Sequence, residues 1–254
     1  MIMAIIRVVN LQKSFGDKKI HNGISFDLEE GETLTIIGGS GTGKSVLLKQ
    51  IIGLIKPDSG RILVEGEDIT KLDEDDLTRV QKKMGYVFQE AALFDSISVG
   101  ENVAFGLISV MQADRTAALK IARQKLAMVG LSGIEDLRPS QLSGGMKKRV
   151  GVARAIAMGP EILLYDEPTT GLDPVMSDVI SDLIVKLKEE SGTTAIAVTH
   201  DMKSAYKISD RIAMLFNGQI LQIGTPDEIQ NSPNAIVRQF ISGSSHGPIP
   251  VPKV

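Results

Sequence analysis

Short apolar runs dominate the start of the chain and predict strands. Three of them, "AIIRVV", "ISFDL" and "TLTIIG", come before "GKSVLLKQIIGL", which predicts a helix. "RILVEGEDI" then predicts a strand with a turn at Glu-Gly, and "DEDDLTRVQKKM" predicts a second helix. That helix has acidic residues in its first turn and basic residues in its last turn, the arrangement that a helix dipole favours.

Strand-like and helical runs alternate in the rest of the chain. "MGYVFQ" predicts a buried strand, and the stretch from Ala91 to Pro139 has a mostly helical pattern. The runs that follow are "EILLYDEP", "DVISDLIVKLKEE", "TTAIAVTHD", "SAYKIS" and "RIAMLFNGQIL". This alternation predicts a mainly parallel sheet with crossover helices, and the helical block over about 90–150 is predicted to be an insertion in it.

The composition excludes several classes of site. Of the 254 residues, 43% are hydrophobic and 23% are charged, and the net charge is -3. This is an ordinary globular composition, and its charge does not favour a nucleic-acid partner. The chain has no cysteine, which excludes disulfides, iron–sulfur clusters and zinc–thiolate sites. No run approaches the ~18 apolar residues of a membrane span, so a role at a membrane would require another chain to cross it.

The first glycine-rich turn, "GGSGTGKS", has P-loop spacing and lies between an apolar strand and a helix. Small residues allow backbone N–H groups to surround a β-phosphate, and the helix N-terminus adds partial positive charge. Lys44 can reach the β- and γ-phosphates, and Ser45 can ligate Mg²⁺. The predicted nucleotide-binding residues of this turn are Gly38, Gly39, Ser40, Gly41, Thr42, Gly43, Lys44, Ser45 and Val46. The turn predicts a nucleotide but no single reaction, since kinases, GTPases and ATPases all fit it.

Polar side chains at the ends of three strand-like runs are candidate catalytic residues. After "EILLY", Asp166 is predicted to hold Mg²⁺ through its water, and Glu167, on the other face of the strand, to act as general base. His200 ends the next strand-like run, where a ring donor can sense the γ-phosphate. Gln89 ends "MGYVFQ", and its amide is predicted to reach the metal or the attacking water. A structural role is the alternative for both His200 and Gln89.

A second glycine turn, "LSGGMKKRV", begins another predicted helix. Ser143 is predicted to cap this helix, and Gly144 and Gly145 expose backbone N–H groups toward an anion. Because the helical insertion separates this turn from the P-loop, we expect the anion to be a nucleotide held by a second copy of the chain. A twofold dimer with two sandwiched nucleotides follows from this arrangement.

These motifs, in this order, resemble the ABC-transporter ATPase family over essentially residues 6–224. The resemblance implies an α/β fold: a P-loop NTPase with a RecA-like core, an antiparallel β-subdomain and an inserted α-helical subdomain, in a single domain over 1–242. It implies a homodimer that binds and hydrolyses ATP with Mg²⁺. It also implies that Phe15 stacks on adenine, that Asp173 couples the two sites across the dimer, and that a membrane permease binds near residues 90–102.

Three segments resemble the branch of this family that serves Mce-type lipid transport, including the Mla phospholipid system. They are "LSGGM", "FQEAALFDSISVGENVAF" and the tail "VRQFISGSSHGPIP". Most of the family has Gln where this chain has Met146, and a thioether cannot make the same hydrogen bonds to the opposing sugar. The branch implies a peripheral subunit on the cytoplasmic face of the inner membrane, with a permease of the MlaE type and an Mce-domain protein of the MlaD type. A small STAS-type regulator of the MlaB type is a further candidate partner.

The tail and the substrate each have alternative interpretations. The branch implies that the segment 243–254 contacts the partner ATPase, whereas its Gly-, Ser- and Pro-rich composition is also typical of a disordered end. The chain is alternatively the ATPase subunit of an importer for amino acids or another small solute. A soluble ABC ATPase of iron–sulfur assembly is the third interpretation, and it would not need an apolar groove for a membrane subunit.

Overall fold

The structure, a computed structural model, describes residues 4–250. The chain divides into two compact units, one made of the residues up to 77 and from 196 onward, the other of residues 78–195. The predicted tail over 243–254 therefore lies partly outside the described residues, at positions 251–254.

The first unit combines an antiparallel sheet with parallel strands. The antiparallel sheet has the strand order β2-β1-β4-β5, and strands β10, β9, β3 and β8 are neighbours in a second sheet. Strand β3 pairs parallel with β9, and all five residues of β3 are buried. The elements are β1 (Ala4–Phe15), β2 (Lys18–Glu29), β3 (Thr33–Ile37), α1 (Lys44–Ile51), β4 (Ser59–Val64), β5 (Glu67–Asp68), α2 (Glu74–Gln81, which ends beyond the unit), β8 (Thr194–Thr199, which begins before it), α7 (Met202–Ile208), β9 (Arg211–Phe216), β10 (Gln219–Gly224), α8 (Pro226–Gln230) and α9 (Ala235–Ser242).

The last described residues are held against helix α9. The side chain of Gln239 is buried, and its Oε1 accepts a hydrogen bond from the backbone N–H of Ile249 at 2.6 Å. Its Nε2 donates to the carbonyl oxygens of Ser244 and Ile249, each at 3.3 Å. These bonds place residues 244–249 against the helix, and both interpretations of the tail, contact with a partner ATPase and a disordered end, stay predictions.

The second unit carries the helical insertion. Strands β6 and β7 pair parallel, with Met84 opposite Ile162, and all five residues of β7 are buried. Helices α3, α4 and α5 fall on the block that the sequence predicts to be inserted, and α3 begins with a capping box between Ser98 and Glu101. The elements are β6 (Met84–Val87), α3 (Val99–Ser109), α4 (Arg115–Met128), α5 (Gly144–Ala155), β7 (Ile162–Asp166) and α6 (Pro174–Ser191).

The predicted fold class is confirmed, with parallel strands, an antiparallel sheet and helical parts. The chain also forms two short 3-10 helices, Ile69–Lys71 and Pro139–Gln141. Across residues 4–250, no helix combines the length and the apolar character that crossing a bilayer requires.

Candidate functional site

The glycine-rich turn of the first unit joins β3 to α1 and packs closely on neighbouring backbone. A Cβ atom on Gly38 would lie 2.5 Å from the carbonyl oxygen of Leu215 in β9. Gly43, the N-cap of α1, has a φ of 100°, and a Cβ there would lie 2.5 Å from the side chain of Ile20. Both positions therefore require glycine, and the turn keeps its backbone N–H groups uncovered by side chains.

Lys44 is buried at the first position of α1, with its amine folded over the turn. Its Nζ donates to the carbonyl oxygens of Gly38 at 2.8 Å and Gly39 at 3.1 Å. Ser40 and Gly41 are exposed at the tip of the turn, and Ser45 and Val46 are half-buried in the first turn of the helix. A buried ammonium group, a helix N-terminus and a glycine-rich turn fit a bound phosphate group, as the sequence predicts.

His21 supports this turn from β2 and was missed in the sequence because a lone histidine in a strand carries no signal. Its ring is fully buried, with Nε2 3.1 Å from the carbonyl oxygen of Gly43 and Nδ1 2.7 Å from the side-chain amide of Gln50. Because the carbonyl oxygen of Gly43 can only accept a hydrogen bond, Nε2 must carry the proton. In a neutral ring Nδ1 is then an acceptor. The atom of Gln50 placed at Nδ1 is Oε1, and its amide nitrogen is buried without a hydrogen-bond partner; turning the amide over would direct the nitrogen, a donor, at Nδ1. Burial lowers the pKa of His21, in keeping with a neutral ring.

Two more predicted residues of the first unit lie at strand ends. Phe15 ends β1 with half of its surface exposed, and Nζ of Lys13 lies 5.4 Å from its ring centroid. An exposed ring at a strand end is free to stack on a planar base. His200 directly follows β8 and is exposed, and Asp201 after it caps α7. The roles of Phe15 and His200 stay predictions.

The acidic pair of the second unit is buried, and the structure corrects the reason given for its geometry. Strand β7 ends at Asp166, so Glu167 is not on the opposite face of a strand; it lies beyond the strand with a left-handed φ of 49°. The hydroxyl of Tyr86 donates to Oδ2 of Asp166 at 2.9 Å, and burial and this carboxylate raise the pKa of Tyr86. The hydroxyl of Thr170 donates to Oε2 of Glu167 at 2.9 Å. These bonds hold both carboxylates at defined positions.

Gln89 begins a loop of the second unit that several side chains hold. It follows β6 by two residues, and its carbonyl oxygen accepts a hydrogen bond from Nζ of Lys148. Arg154 donates to the carbonyl oxygens of Ala91 at 2.6 Å and Ala92 at 2.7 Å, and Asn102 bonds four backbone groups between positions 94 and 98. The loop thus presents a fixed surface that includes an exposed aromatic pair, Phe94 and Phe105, with centroids 4.7 Å apart.

The second glycine turn has the predicted cap. Oγ of Ser143 accepts a hydrogen bond from the backbone N–H of Met146 at 3.3 Å, and α5 begins at Gly144. A Cβ on Gly145 would lie 2.7 Å from Cε of Met176, which belongs to the first turn of α6. Asp173 caps α6 by accepting from the N–H groups of Val175 and Met176. The structure therefore brings the N-termini of α5 and α6 together, and with them Ser143 and Asp173.

The described residues contain no group of three or more His, Asp or Glu side chains that could hold a metal ion by itself. Mg²⁺ commonly takes one or two protein ligands and completes its shell with phosphate oxygens and water. Ser45 in the first unit, and Gln89 and Asp166 in the second, each carry a side-chain oxygen of the kind that this ion prefers, and their role as Mg²⁺ ligands stays a prediction.

Comparisons with known proteins agree on one family. The family model described as ABC transporter matches residues 21–170. Protein TRIGALACTOSYLDIACYLGLYCEROL 3 of Arabidopsis thaliana is 42% identical over 96% of this chain and 75% of its own length. The intermembrane phospholipid transport ATP-binding protein MlaF of Haemophilus influenzae is 39% identical over 96% and 93%. The glycine betaine/proline betaine transport ATP-binding protein ProV of Salmonella typhimurium is 40% identical over 95% and 67%.

A solved structure has a similar fold. The ATP-binding cassette MJ0796, in a dimeric post-hydrolysis state with ADP and Pi, superposes with a TM-score of 0.80. The two sequences are 34% identical, and the match covers 87% of this chain and 98% of that one.

The neutral His21 ring predicts a pH-dependent stability. Its folded-state pKa lies below the ordinary value of 6.5, so its contribution is full above that pH and is lost as pH falls below it. We expect the advantage of the unmodified chain over His21→Leu in thermal unfolding to shrink between about pH 7.5 and 5.5, by up to roughly 1.4 kcal/mol per pH unit. His246→Leu, at an exposed position, is the control and leaves the pH profile unchanged. Parallel profiles for the chain and His21→Leu would contradict a neutral, buried ring.

Proposed function

The chain belongs to the ABC transporter family, and we propose that it is the ATP-hydrolysing subunit of a transporter that moves phospholipid between the inner and outer membranes. Members of this family are ATPases that bind ATP with Mg²⁺ and couple its hydrolysis to transport, and this chain is one of them. The observation that carries the ATPase assignment is the first glycine-rich turn. Gly38 and Gly43 have no room for a side chain there, and Lys44 directly follows Gly43.

We assign nucleotide binding to the first glycine turn. The N–H groups from Gly39 to Ser45 donate to phosphate oxygens, and Lys44 exchanges its carbonyl partners for the β- and γ-phosphates. Phe15 stacks on adenine. Ser45, Gln89 and Asp166 hold Mg²⁺, which when bound neutralises charge on the β- and γ-phosphates.

Hydrolysis depends on the carboxylate of Glu167 as general base. Thr170 donates to Oε2 of this carboxylate and orients it, and the carboxylate accepts a proton from the attacking water. His200 donates to the γ-phosphate from the end of β8.

The second glycine turn acts on the nucleotide of the other copy. Ser143 and Gly144 are exposed at the start of α5, where the helix dipole favours an anion. Gly145 lets α5 approach α6, so that Asp173 lies next to this turn and couples the two sites. MJ0796 forms a dimer of this family, which supports a homodimer for this chain.

The surface of residues 90–102 is the proposed contact with a permease. Phe94 exposes apolar area there, next to the ring of Phe105 in α3, while Asn102 and Arg154 fix the backbone of the loop. A rigid apolar surface transmits the motion of a nucleotide-driven dimer to a second protein. The chain would thus act at the cytoplasmic face of the membrane, with an MlaE-type permease, an MlaD-type Mce-domain protein and an MlaB-type regulator as partners.

The phospholipid substrate rests on the resemblance of particular segments. Sequence identity alone does not separate the candidates, since ProV is as similar as MlaF. The supporting features are Met146 in the second glycine turn and the tail, whose residues 244–249 are held by Gln239 in a defined path. An ordered tail is suited to contact with a partner ATPase.

Glu167→Gln is expected to keep ATP binding and to lower turnover by roughly 10²–10⁴-fold, because the amide cannot take a proton. Its carbonyl oxygen can still accept the bond from Thr170, so the local fold is retained. Lys44→Ala is expected to lose nucleotide binding instead. Steady-state ATPase assays with direct measurement of ATP affinity separate the two. Near-normal turnover of Glu167→Gln would exclude Glu167 as the base.

Ser143→Arg is expected to bind ATP as a monomer and to fail to form the ATP-dependent dimer, because its side chain blocks the approach of the opposing nucleotide. The substitution also removes a helix cap, worth about 1 kcal/mol. Ser143→Ala is the matched control, since it loses the same cap without adding bulk. Light scattering in the presence of ATP and Mg²⁺, with the Glu167→Gln background to slow hydrolysis, measures dimerisation. A dimer of Ser143→Arg would refute the role of this turn across the interface.

Purification of the tagged chain from native membranes in mild detergent tests the substrate. Mass spectrometry of the captured proteins and lipids is expected to find a polytopic permease, an Mce-domain protein and bound phospholipid. A permease with a periplasmic solute-binding protein would instead support a solute importer. Capture without any membrane protein would support the soluble-ATPase class.

A further inference from the structure

Lys148 is a buried lysine in the middle of α5. Only 7% of the surface of Lys148 is exposed to solvent. Its Nζ donates to the backbone carbonyl oxygen of Gln89 and to that of Glu167, the latter at 3.3 Å. Burial lowers the pKa of Lys148, and the charges of Glu90, Glu167 and Asp166 oppose this effect. An ammonium group placed between two carbonyls makes charge-assisted hydrogen bonds, which are stronger than those between neutral groups.

One carbonyl belongs to Gln89, whose side chain is assigned to Mg²⁺, and the other to Glu167, the proposed general base. Glu167 has a left-handed backbone, which a residue with a side chain adopts only when its surroundings hold it there. Thr170 holds the carboxylate of Glu167, and Lys148 holds its backbone. Gln89 is held at its carbonyl by the same ammonium group.

Lys148 also lies on the helix that begins at the second glycine turn. It lies five positions after Ser143, the N-cap of this helix, so both belong to one short, regular segment. A shift of α5 on contact of Ser143 with a nucleotide would therefore move the ammonium group that holds Gln89 and Glu167. Helix α5 would in this way couple the nucleotide of the opposing copy to Gln89 and Glu167.

We propose that Lys148 is a positioning residue that holds the backbones of Gln89 and Glu167 in their hydrolysis-competent arrangement. This inference rests on the proposed function, in which Glu167 is the general base. The alternative is that Lys148 contributes only to the stability of the fold.

Lys148→Met removes the ammonium group and keeps an unbranched side chain. We expect kcat for ATP hydrolysis by the full chain in its captured complex to fall about 10- to 100-fold, with ATP affinity and KM unchanged. Lys148→Arg keeps the positive charge and the hydrogen-bond donors, so it should retain most of the rate of ATP hydrolysis. Lys120→Met, on the exposed face of α4, is the matched control and should match the unmodified chain. Unchanged kcat in Lys148→Met, or equal losses of kcat and ATP affinity, would overturn the proposal.

A double-mutant cycle distinguishes positioning from a structural role. If Lys148 acts through Glu167, adding Lys148→Met to Glu167→Gln should cost less than about threefold more in kcat, because the group it positions has already lost its function. A full additional loss would overturn the proposal while the assignment of Glu167 stands. Near-normal turnover of Glu167→Gln alone would instead remove the proposed general base. If Lys148→Met does not fold, as judged by circular dichroism, the same cycle is measured with Lys148→Gln, whose shorter amide cannot reach both carbonyls.

Discussion

The approach of one backbone turn to two strands is the constraint on which the nucleotide site depends. Gly38 lies against the carbonyl of Leu215, and Gly43 against Ile20 and His21, at distances that no Cβ atom could occupy. The turn therefore carries no side chain at Gly38 and Gly43, and this lets it pack closely at the N-terminus of α1. Lys44 brings a positive charge to that volume from the first position of the helix. An ATPase needs this arrangement before any residue that acts on water can be useful.

Burial of charge is the second constraint, and hydrogen bonds to fixed groups make it tolerable. Asp166 and Glu167 are both buried, where an unpartnered carboxylate would be costly. Tyr86 donates to one and Thr170 to the other, while Lys148 donates to the backbone carbonyl oxygens of Gln89 and Glu167. The same bonds that stabilise the charges also fix their directions. Stability and the geometry of catalysis therefore depend on the same few contacts in this unit.

Helix N-termini recur wherever the chain is expected to meet phosphate or a second copy. Helix α1 begins at the P-loop, α5 at Ser143, and α6 at Asp173 next to it through the contact of Gly145 with Met176. Each of these starts carries the positive end of a helix dipole, although at α6 the cap residue Asp173 already accepts from the N–H groups of Val175 and Met176. The family relationship agrees with this organisation, and the dimeric cassette with bound ADP and Pi has the same fold.

The sequence by itself determined the features that depend on near neighbours. The strand, turn and helix around Lys44 follow from local pattern, and the cap at Ser143 is a bond to a residue three positions away. The tertiary structure decided which distant groups support them. His21 and Gly43 are 22 residues apart, Lys148 and Gln89 are 59 apart, and Tyr86 and Asp166 are 80 apart. Such pairs leave no periodic signal, because folding brings them together through strand order and helix packing. For the same reason the left-handed backbone of Glu167 was not predictable: the contacts that hold it come from elsewhere in the chain.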